Sequence, residues 1–443
     1  MIEYTEANII KIAKRFNNSK RGYLLVNRLQ AKHIPVCPRQ ALDMMESLAV
    51  KVARRLRSAS LPTGDSLVIG FAETATAIGA AVALELGGAY IHTTREPLQQ
   101  AGSPITFLEE HSHAAEHSLY PSKLSALFRN ASNILLVDDE ISTGKTVLNM
   151  LSALRKRFPE AVSKNILAVS VVNRMRVADA ARFTQLGIGT ECLFRMEHRD
   201  YSQTVCFADS PIFIDCRGGS AVILAGAAGR GQHSAGTSAD AAGRGQHSAD
   251  TSAGAANRGQ HSAGTSADAA NREQRSAGAS ADAAVPCTVQ RLHGRRDPRA
   301  GILAGEYADA CQAFAIQAAT AASPILRGAK RILVLGAEEF MYPAILAGKL
   351  IKERFSGAEV ACHATTRSPI AVSRREGYPI DSGYMLRSFY SASRLTYIYN
   401  LRHCDAAILL TDSGSDVSGA CSDLSAALGV HGCGSLCCFV WCE

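Results

Sequence analysis

Residues 134–146 read ILLVDDEISTGKT, and this stretch constrains the fold more than any other. Its first four residues have the length and apolar make-up of a buried strand, and residues 147–157 (VLNMLSALRKR) have the apolar spacing of a helix. We therefore predict a strand, a loop and a helix. Small residues at the mouth of a helix let backbone N–H groups face an anion, and the helix dipole favours negative charge there. The loop is expected to bind a phosphate.

Asp138 and Asp139 follow the predicted strand, beside that loop. Two carboxylates would repel a phosphate placed on them, so we expect them to face hydrogen-bond donors or positive charge. A ribose diol or a hydrated Mg²⁺ satisfies this requirement. A phosphate on the loop and a diol on the aspartates together describe a ribose 5-phosphate derivative lying across the end of the strand.

Two other interpretations explain this stretch less well. A Walker A loop needs a glycine where Asp139 stands, so the GKT sequence at 144–146 does not complete that motif. An ordinary turn with an aspartate as helix cap explains one carboxylate, but it leaves the second one buried without a partner.

The segment VDDEISTGKT at 137–146 resembles the phosphoribosyl-pyrophosphate (PRPP) signature of type I phosphoribosyltransferases, in which two acidic residues precede a T-G-K/G-T/S loop. EEHSHA at 109–114, TTREP at 93–97 and TTRSP at 365–369 resemble, more narrowly, the phosphoribosyltransferase and TRSP-domain proteins found with tellurite-resistance and stress gene clusters. The similarity covers roughly residues 20–215 and 300–413.

The resemblance implies roles for particular residues. Asp138 and Asp139 would act in catalysis by holding the ribose hydroxyls and Mg²⁺. The residues implied to bind PRPP are Ala72, Glu73, Thr74, Ala75, Arg95, Glu140, Ser142, Thr143, Gly144, Lys145 and Thr146. Glu109, His111 and His113 are candidate acids, bases or second-metal ligands in a hood loop that closes over the diphosphate, although a solvated loop without a chemical role is the alternative. Asn173 and Arg174 are candidate acceptor contacts.

Apolar segments alternate with helical stretches in both halves of the chain. This alternation predicts mainly parallel sheets that are covered on both faces and bind ligands at the carboxyl ends of their strands. Because 443 residues are too many for one ordinary core, we expect two Rossmann-like α/β domains, the first with the type I phosphoribosyltransferase fold. The predicted strands lie in 66–72, 89–94, 134–139, 166–172, 331–340, 359–369 and 404–416, with helices over 76–86 and 343–354.

The second half repeats the motifs of the first in the same order. VIGFAET matches VLGAEEF, TTREP matches TTRSP, and ILLVDD matches ILLTDS. We infer that the C-terminal domain is a diverged copy that lost the phosphate loop, whereas convergence of generic α/β units is the alternative. A candidate second-domain site, for a second ligand or the first site's product, comprises Glu338, Glu339, Arg367, Ser368 and Asp412.

The predicted domains are a phosphoribosyltransferase-like domain over 1–218, a linker over 219–298, a TRSP domain over 299–420 and an irregular Cys-rich tail over 421–443. The linker holds four copies of a 14-residue repeat, such as AAGRGQHSAGTSAD, which have almost nothing larger than alanine to bury. Such copies cannot offset the entropy of ordering, so we predict disorder. The tail lacks helical or strand periodicity, and its cysteine spacing matches no zinc pattern.

The net charge of +7 is concentrated near the N-terminus, where residues 1–60 hold twelve Lys and Arg against four Asp and Glu. Such a basic arm can steer phosphorylated substrates or nucleic acid. A solvated helical face on KIAKRF (11–16) and KVARRLR (51–57) is favoured over nucleic-acid binding. The sequence has no run of 18 apolar residues and no signal-peptide pattern, so a cytoplasmic protein without a membrane partner is expected.

The first functional hypothesis is an enzyme, a Mg²⁺-dependent phosphoribosyltransferase that uses PRPP, or runs the reverse reaction, with a nucleobase-like small-molecule acceptor. Its product would serve the biosynthesis of a nucleoside-like metabolite. The alternative is a non-catalytic PRPP-binding regulatory protein, and a scaffold for stress-cluster partners is a third. Homodimerisation stays open.

Overall fold

In the computed structural model of the chain, the described residues are 3–16, 21–98, 103–108, 116–120, 123–206, 213–224 and 284–443. The repeat segment and the candidate residues Glu109, His111 and His113 lie outside these ranges, so the predictions made for them stay predictions.

Strands and helices alternate through both halves of the chain. The strands, in chain order, are β1 Ile10–Lys14, β2 Tyr23–Asn27, β3 Ser66–Gly70, β4 Ala89–His92, β5 Ile105–Leu108, β6 Glu116–Leu119, β7 Asn133–Ile141, β8 Asn165–Asn173, β9 Ile188–Arg195, β10 Phe213–Asp215, β11 Val222–Leu224, β12 Cys287–Leu292, β13 Ile302–Leu303, β14 Arg331–Gly336, β15 Glu359–Ala364, β16 Gly383–Arg387, β17 Leu395–Tyr399, β18 Ala406–Thr411 and β19 Leu436–Trp441. The α-helices are α1 Glu6–Ile9, α2 Pro38–Ser58, α3 Thr76–Leu86, α4 Leu124–Asn130, α5 Lys145–Arg157, α6 Val177–Gln185, α7 Ala304–Ala321, α8 Ser323–Leu326, α9 Tyr342–Arg354 and α10 Ser418–Gly429. No helix in this described part of the chain is both long and apolar enough to cross a membrane.

The first sheet has the strand order β13-β4-β3-β7-β8-β9, and all its neighbouring strands are parallel except the β13–β4 pair. Both faces are covered. Val68 and Val137 pack into a cluster that contains side chains of α2 and α3, whereas Ile69 and Leu136 pack into a second cluster with α4 and α5. The predicted α/β architecture with mainly parallel sheets is confirmed, and the carboxyl ends of β3, β4 and β7 meet at one edge.

The second sheet, β12-β19-β18-β14-β15, is parallel throughout. Its order β15-β14-β18-β19 reproduces the order β4-β3-β7-β8 of the first sheet. The strand ends match in detail: the amide of Ala72 donates to Thr93 Oγ1 at 2.8 Å, and the amide of Glu338 donates to Thr365 Oγ1 at 3.0 Å. This shared plan supports the inferred duplication over a chance similarity of α/β units.

The prediction of an irregular C-terminal tail is wrong. Residues Ser418–Gly429 form α10, and Leu436–Trp441 form β19, which lies between β18 and β12 and is buried along its whole length. A strand that is covered on both faces reads as a continuous apolar run, so it shows no alternation. LCCFVW is such a run.

Paired strands also cross the predicted domain boundaries. β12 lies inside the range 219–298 that was assigned to a linker, yet it pairs with β19. β10, from the predicted first domain, pairs with β16 of the second half, and β13 extends the first sheet. The two halves therefore form interlocked lobes, which we call the N-lobe and the C-lobe after their sheets.

The basic segment KIAKRF is not helical, in contrast to its predicted solvated helical face. Residues Ile10–Lys14 form β1, which pairs antiparallel with β2, and the amide of Phe16 donates to the carbonyl of Pro369 at 3.0 Å. A segment this short fits both periodicities, so pairing with β2 decides its conformation. KVARRLR lies in α2, as expected. The predicted polar loop after β4 contains the antiparallel pair β5 and β6.

The placement of β19 predicts a large effect of Phe439→Ala. Phe439 is fully buried, so this change should lower the free energy of unfolding by about 3–5 kcal/mol. The single tryptophan, Trp441, stacks on Phe314 with ring centroids 4.7 Å apart and reports unfolding by its fluorescence in a urea titration. Val289→Ala on neighbouring β12 is the control, because Val289 is 46% exposed. A similar loss in both variants would contradict the burial of this strand.

Candidate functional site

A cavity of about 880 Å³ lies at the carboxyl ends of the N-lobe strands. One wall comes from the loops that follow β3, β4 and β7. The lining residues of this wall are Ala72, Glu73, Thr74, Arg95, Asp138, Asp139, Glu140, Ile141, Ser142, Thr143, Gly144, Lys145, Thr146 and Val147. Ala75, which was also predicted to bind PRPP, is buried immediately before α3 instead. The structure thus brings the other predicted PRPP residues together in one place.

The loop after β7 has the geometry expected of an anion cup, a name we use for residues 142–146. Gly144 precedes α5 and has φ +73°, a conformation that favours glycine. A Cβ at this position would collide with the ring of Phe183. The amide of Lys145 donates to Thr143 Oγ1 at 3.3 Å. The chain therefore turns directly into the helix, and the small residues leave the helix mouth open to the cavity.

Asp138 and Asp139 lie beside the cup. Both carboxylates are half-buried and line the cavity, and Asp138 Oδ1 accepts a hydrogen bond from the amide of Asp139 at 2.9 Å. β7 continues through both residues to Ile141. The acids and the cup therefore share one strand–helix junction, as the sequence predicts.

Glu140 also lines the cavity, but its carboxylate is held by a cation that sequence reasoning missed. Arg21 Nη2 donates to the two Glu140 oxygens at 2.8 and 3.0 Å. Burial lowers the pKa of Arg21, but Glu140 outweighs this effect and holds the pKa above its ordinary value. The ion pair ties the segment after β1 to the end of β7.

Asn173 and Arg174, the predicted acceptor contacts, do not line the cavity. The Arg174 guanidinium is buried, donates to the hydroxyl of Tyr23 at 3.0 Å and lies over the ring of Tyr201. Asn173 Oδ1 accepts from the amide of Met175 at 3.0 Å. Asn173 Nδ2 and Arg174 Nε are buried without a hydrogen-bond partner among the described residues. Both residues thus pack outside the cavity lining, and their contact with an acceptor stays a prediction.

Glu73, in the loop after β3, is an unexpected negative charge beside a predicted diphosphate site. It is buried, forms an ion pair with Lys32 and accepts from the amide of Arg367 at 3.2 Å. Burial raises the pKa of Glu73, but Lys32 and Arg367 lower it more, so the pKa lies below its ordinary value. The charge of this carboxylate is thus compensated inside the protein. The peptide bond between Ala72 and Glu73 is cis.

The predicted second-domain site is closed by ion pairs. Arg299 reaches both Glu339, at 3.3 Å, and Asp412, and the hydroxyl of Tyr390 donates to Asp412 at 2.6 Å. The space left there is about 10 Å³, which holds one water at most. Glu338, Glu339 and Asp412 therefore bind arginines of their own chain, because a buried carboxylate needs a partner. These carboxylates are thus already paired, and the second ligand stays a prediction.

Arg367 and Ser368 belong to the large cavity instead. The Arg367 side chain pairs with Glu96 of the N-lobe and with Glu338 of the C-lobe. Hydrogen bonds also cross the boundary between the two lobes, which we call the seam. The amide of Arg95 donates to Glu339 at 3.0 Å, just as the amide of Arg367 donates to Glu73. Equivalent acids and strand ends of the two lobes therefore bind each other reciprocally.

A second wall of the cavity escaped sequence reasoning. Its residues are Arg15, Phe16, Arg21, Leu24, Leu25, His33, Arg367, Ser368, Pro369, Ile370, Ser393, Arg394, Leu395 and Tyr397. Apart from the TTRSP motif, no local signal marks them, because they meet only in the folded chain. Burial and nearby Lys32 lower the pKa of His33 to about 3, so this imidazole is neutral in ordinary buffers.

Comparison with known families places the chain. A family model described as phosphoribosyl transferase matches residues 9–197, and a model described as the TRSP domain C-terminal to it matches residues 298–428. The chain therefore combines a phosphoribosyltransferase-family domain with a C-terminal TRSP domain. Both parts of the resemblance seen in VDDEISTGKT and TTRSP are confirmed, as is the enzyme class.

Solved structures to which the chain is similar include adenine phosphoribosyltransferases. The Trypanosoma brucei protein, solved with AMP, pyrophosphate and ribose 5-phosphate, is 14% identical over 42% of this chain and 76% of its own, with a TM-score of 0.30. The Saccharomyces cerevisiae protein is 14% identical over 42% of this chain and 96% of its own, with a TM-score of 0.27. No curated protein matches the sequence. The fold assignment rests on the strand order and the family match.

The ion pairs of Glu339 predict that Glu339→Gln lowers the free energy of unfolding by an amount that depends on pH. Burial raises the pKa of Glu339, but Arg299 and Arg367 lower it to about 2, below the ordinary 4.5. A depressed carboxyl pKa stabilises the fold fully above pH 4.5 and less as pH falls towards 2. The variant should be about 3 kcal/mol less stable than wild type at pH 7, and this gap should narrow by about 2 kcal/mol at pH 3.

Urea unfolding of both proteins at the two pH values measures the gap. Glu376→Gln is the control, because Glu376 is exposed and should leave the free energy of unfolding within about 0.5 kcal/mol of wild type at pH 7. A gap that stays constant with pH would contradict the pairing of Glu339 with Arg299.

Proposed function

We propose that the chain is a Mg²⁺-dependent phosphoribosyltransferase that transfers the phosphoribosyl group of PRPP to a nitrogen of a nucleobase-like acceptor, or runs the reverse reaction, in the cytoplasm. Its product would be a precursor of a nucleoside-like metabolite. One observation carries this proposal: the cup at 142–146, the paired acids Asp138 and Asp139 and the loop at 72–74 line one wall of one cavity.

The three stations suit the three parts of PRPP. The cup receives the 5-phosphate on backbone N–H groups at the start of α5, with the ammonium of Lys145 as an added charge. Asp138 and Asp139 accept hydrogen bonds from the ribose hydroxyls. The diphosphate lies against the loop before α3, with Arg95 beside it. Glu73 is tolerated there because Lys32 compensates its charge.

In the forward reaction, the bond from C1 to the diphosphate oxygen breaks, and the diphosphate leaves with the electron pair. The acceptor nitrogen forms the new bond to C1 and releases its proton to solvent. The positive charge that develops at C1 is favoured by the two aspartates, and holding both reactants in place lowers the entropic cost.

Mg²⁺ fits this wall as part of the substrate complex. Among the described residues, no three His, Cys, Asp or Glu side chains are grouped to hold a metal ion. Asp138 and Asp139 nevertheless offer two half-buried carboxylates to the cavity, which suits an ion that keeps waters and binds substrate phosphates. When bound, Mg²⁺ would neutralise charge on the diphosphate.

The direct test measures pyrophosphate release from PRPP and Mg²⁺ with a panel of nitrogen bases. The double variant Asp138→Asn with Asp139→Asn should lose at least about a hundredfold in rate, since both ribose contacts weaken. Asp309→Asn, an exposed change on α7, is the matched control and should keep the wild-type rate. Tight PRPP binding without release would instead favour a regulatory protein. No PRPP binding at all would reject both functions.

Gly144→Ala tests whether the cup binds PRPP, and Gly187→Ala is the control for backbone strain. Both Gly144, with φ +73°, and Gly187, with φ +69°, disfavour alanine, but a Cβ at Gly187 meets no atom within 4 Å. Each variant should therefore lose about 1 kcal/mol of stability from the backbone. Only Gly144→Ala should also weaken PRPP binding, by at least about tenfold, because the clash with Phe183 displaces the cup. Equal PRPP affinity of both variants in calorimetry would contradict the cup assignment.

A further inference from the structure

The second wall of the cavity is a joint product of the N-terminal strands and the C-lobe. The amide of Phe16 donates to the carbonyl of Pro369 at 3.0 Å, and Arg15 and Ile370 form an antiparallel bridge. The C-lobe segment 369–370 thus pairs with the chain immediately after β1. All stations assigned to PRPP lie on the first wall, so the second wall is left for the acceptor.

Much of this wall is apolar. The ring of Phe213 lies 5.5 Å from that of Phe16 and 5.6 Å from that of Tyr397. Phe213 therefore packs against wall residues from both the N-terminal segment and the C-lobe. The apolar lining residues are Phe16, Leu24, Leu25, Pro369, Ile370, Leu395 and Tyr397. A flat ring is the acceptor shape that such a surface binds best, because aromatic faces stack on it.

The charges on the second wall all have one sign. The four carboxylates of the cavity, Glu73, Asp138, Asp139 and Glu140, belong to the first wall. Among the described residues of the second wall, the charged side chains are arginines. Arg367 and Arg394 pair with Glu96 and Glu338, neither of which lines the cavity. A ligand group placed against this wall therefore meets guanidinium groups first, which favours an anion.

Arg394 is the arginine that carries the inference. Its Nη atoms contact Glu96 at 2.7 Å and Glu338 at 3.1 Å, which hold the guanidinium in place. Its Nε is buried and has no hydrogen-bond partner within the described part of the chain. A buried donor without a partner is unfavourable, so an acceptor atom on a ligand gains by reaching it.

We propose that the TRSP domain completes the acceptor subsite and selects a planar nitrogen heterocycle that carries a carboxylate or a similar anionic substituent. The ring lies on the apolar surface around Phe16 and Tyr397, and the anionic group binds Arg394. This inference rests on the proposed function and names the substrate class of the same site.

The test compares acceptors that share a ring and differ in charge. Pyridine-3-carboxylate is paired with pyridine-3-carboxamide, and uracil-6-carboxylate with uracil, each with PRPP and Mg²⁺. For at least one pair, kcat/KM for pyrophosphate release should favour the carboxylate by at least about tenfold, the value of one charged hydrogen bond. Calorimetry of PRPP binding runs in parallel.

Arg394→Met should reduce this preference to near unity while PRPP still binds, and Arg394→Lys should restore part of it. Arg402→Met is the matched control, because Arg402 lies in the same lobe, pairs with Asp381 on the surface and does not line the cavity. If Arg394→Met also loses PRPP binding, the anionic acceptor is judged from the wild-type protein alone, by the ratio of kcat/KM for the carboxylate to kcat/KM for its neutral partner.

The outcomes separate the two proposals. Neutral partners that react as fast as the carboxylates would overturn the anionic acceptor and leave the transferase standing. If PRPP binds but neither carboxylate binds or reacts, the proposed acceptor class is overturned as well. Absence of PRPP binding would overturn both. A carboxylate preference that survives Arg394→Met would show that the TRSP arginine does not make the selection.

Discussion

Buried carboxylates at the seam between the two lobes are the constraint on which the rest of the structure depends. Glu73 and Glu339 occupy equivalent strand ends, and each accepts a hydrogen bond from the backbone of the opposite lobe. An isolated buried charge is costly, and removal of its partner destabilises a fold strongly. Lys32 and Arg299 supply the compensating charges. One continuous apolar cluster spans both of them.

This seam explains why a duplicated plan leaves one open site. In the C-lobe, the guanidinium of Arg299 fills the space between the strand-end acids, and little room remains. In the N-lobe, Asp138 and Asp139 instead line an open cavity beside the start of α5. The C-lobe then contributes the outer wall of that one cavity. The TTRSP motif of the C-lobe therefore lines the cavity of the N-lobe.

Local signals in the sequence predict the first wall well, and long-range pairings account for what they miss. The stretch 137–146 carries its own strand, turn and helix start, so its geometry can be read from residue types alone. The strand at 436–441 is apolar on both faces and lacks a period, so only its position in the sheet reveals it. Glu339 looks like a ligand site in sequence, because nothing local shows that Arg299 reaches it from 40 residues away.

The central claim is that the cup and the paired acids hold a sugar phosphate between them. Ribose 5-phosphate tests this most directly, because it carries only the phosphate and the hydroxyls and needs neither diphosphate nor acceptor. In calorimetry it should bind the intact chain at one site, compete with PRPP and lose at least about tenfold in affinity in Asp139→Asn. Binding that is absent, or that is unchanged by Asp139→Asn, would contradict the account.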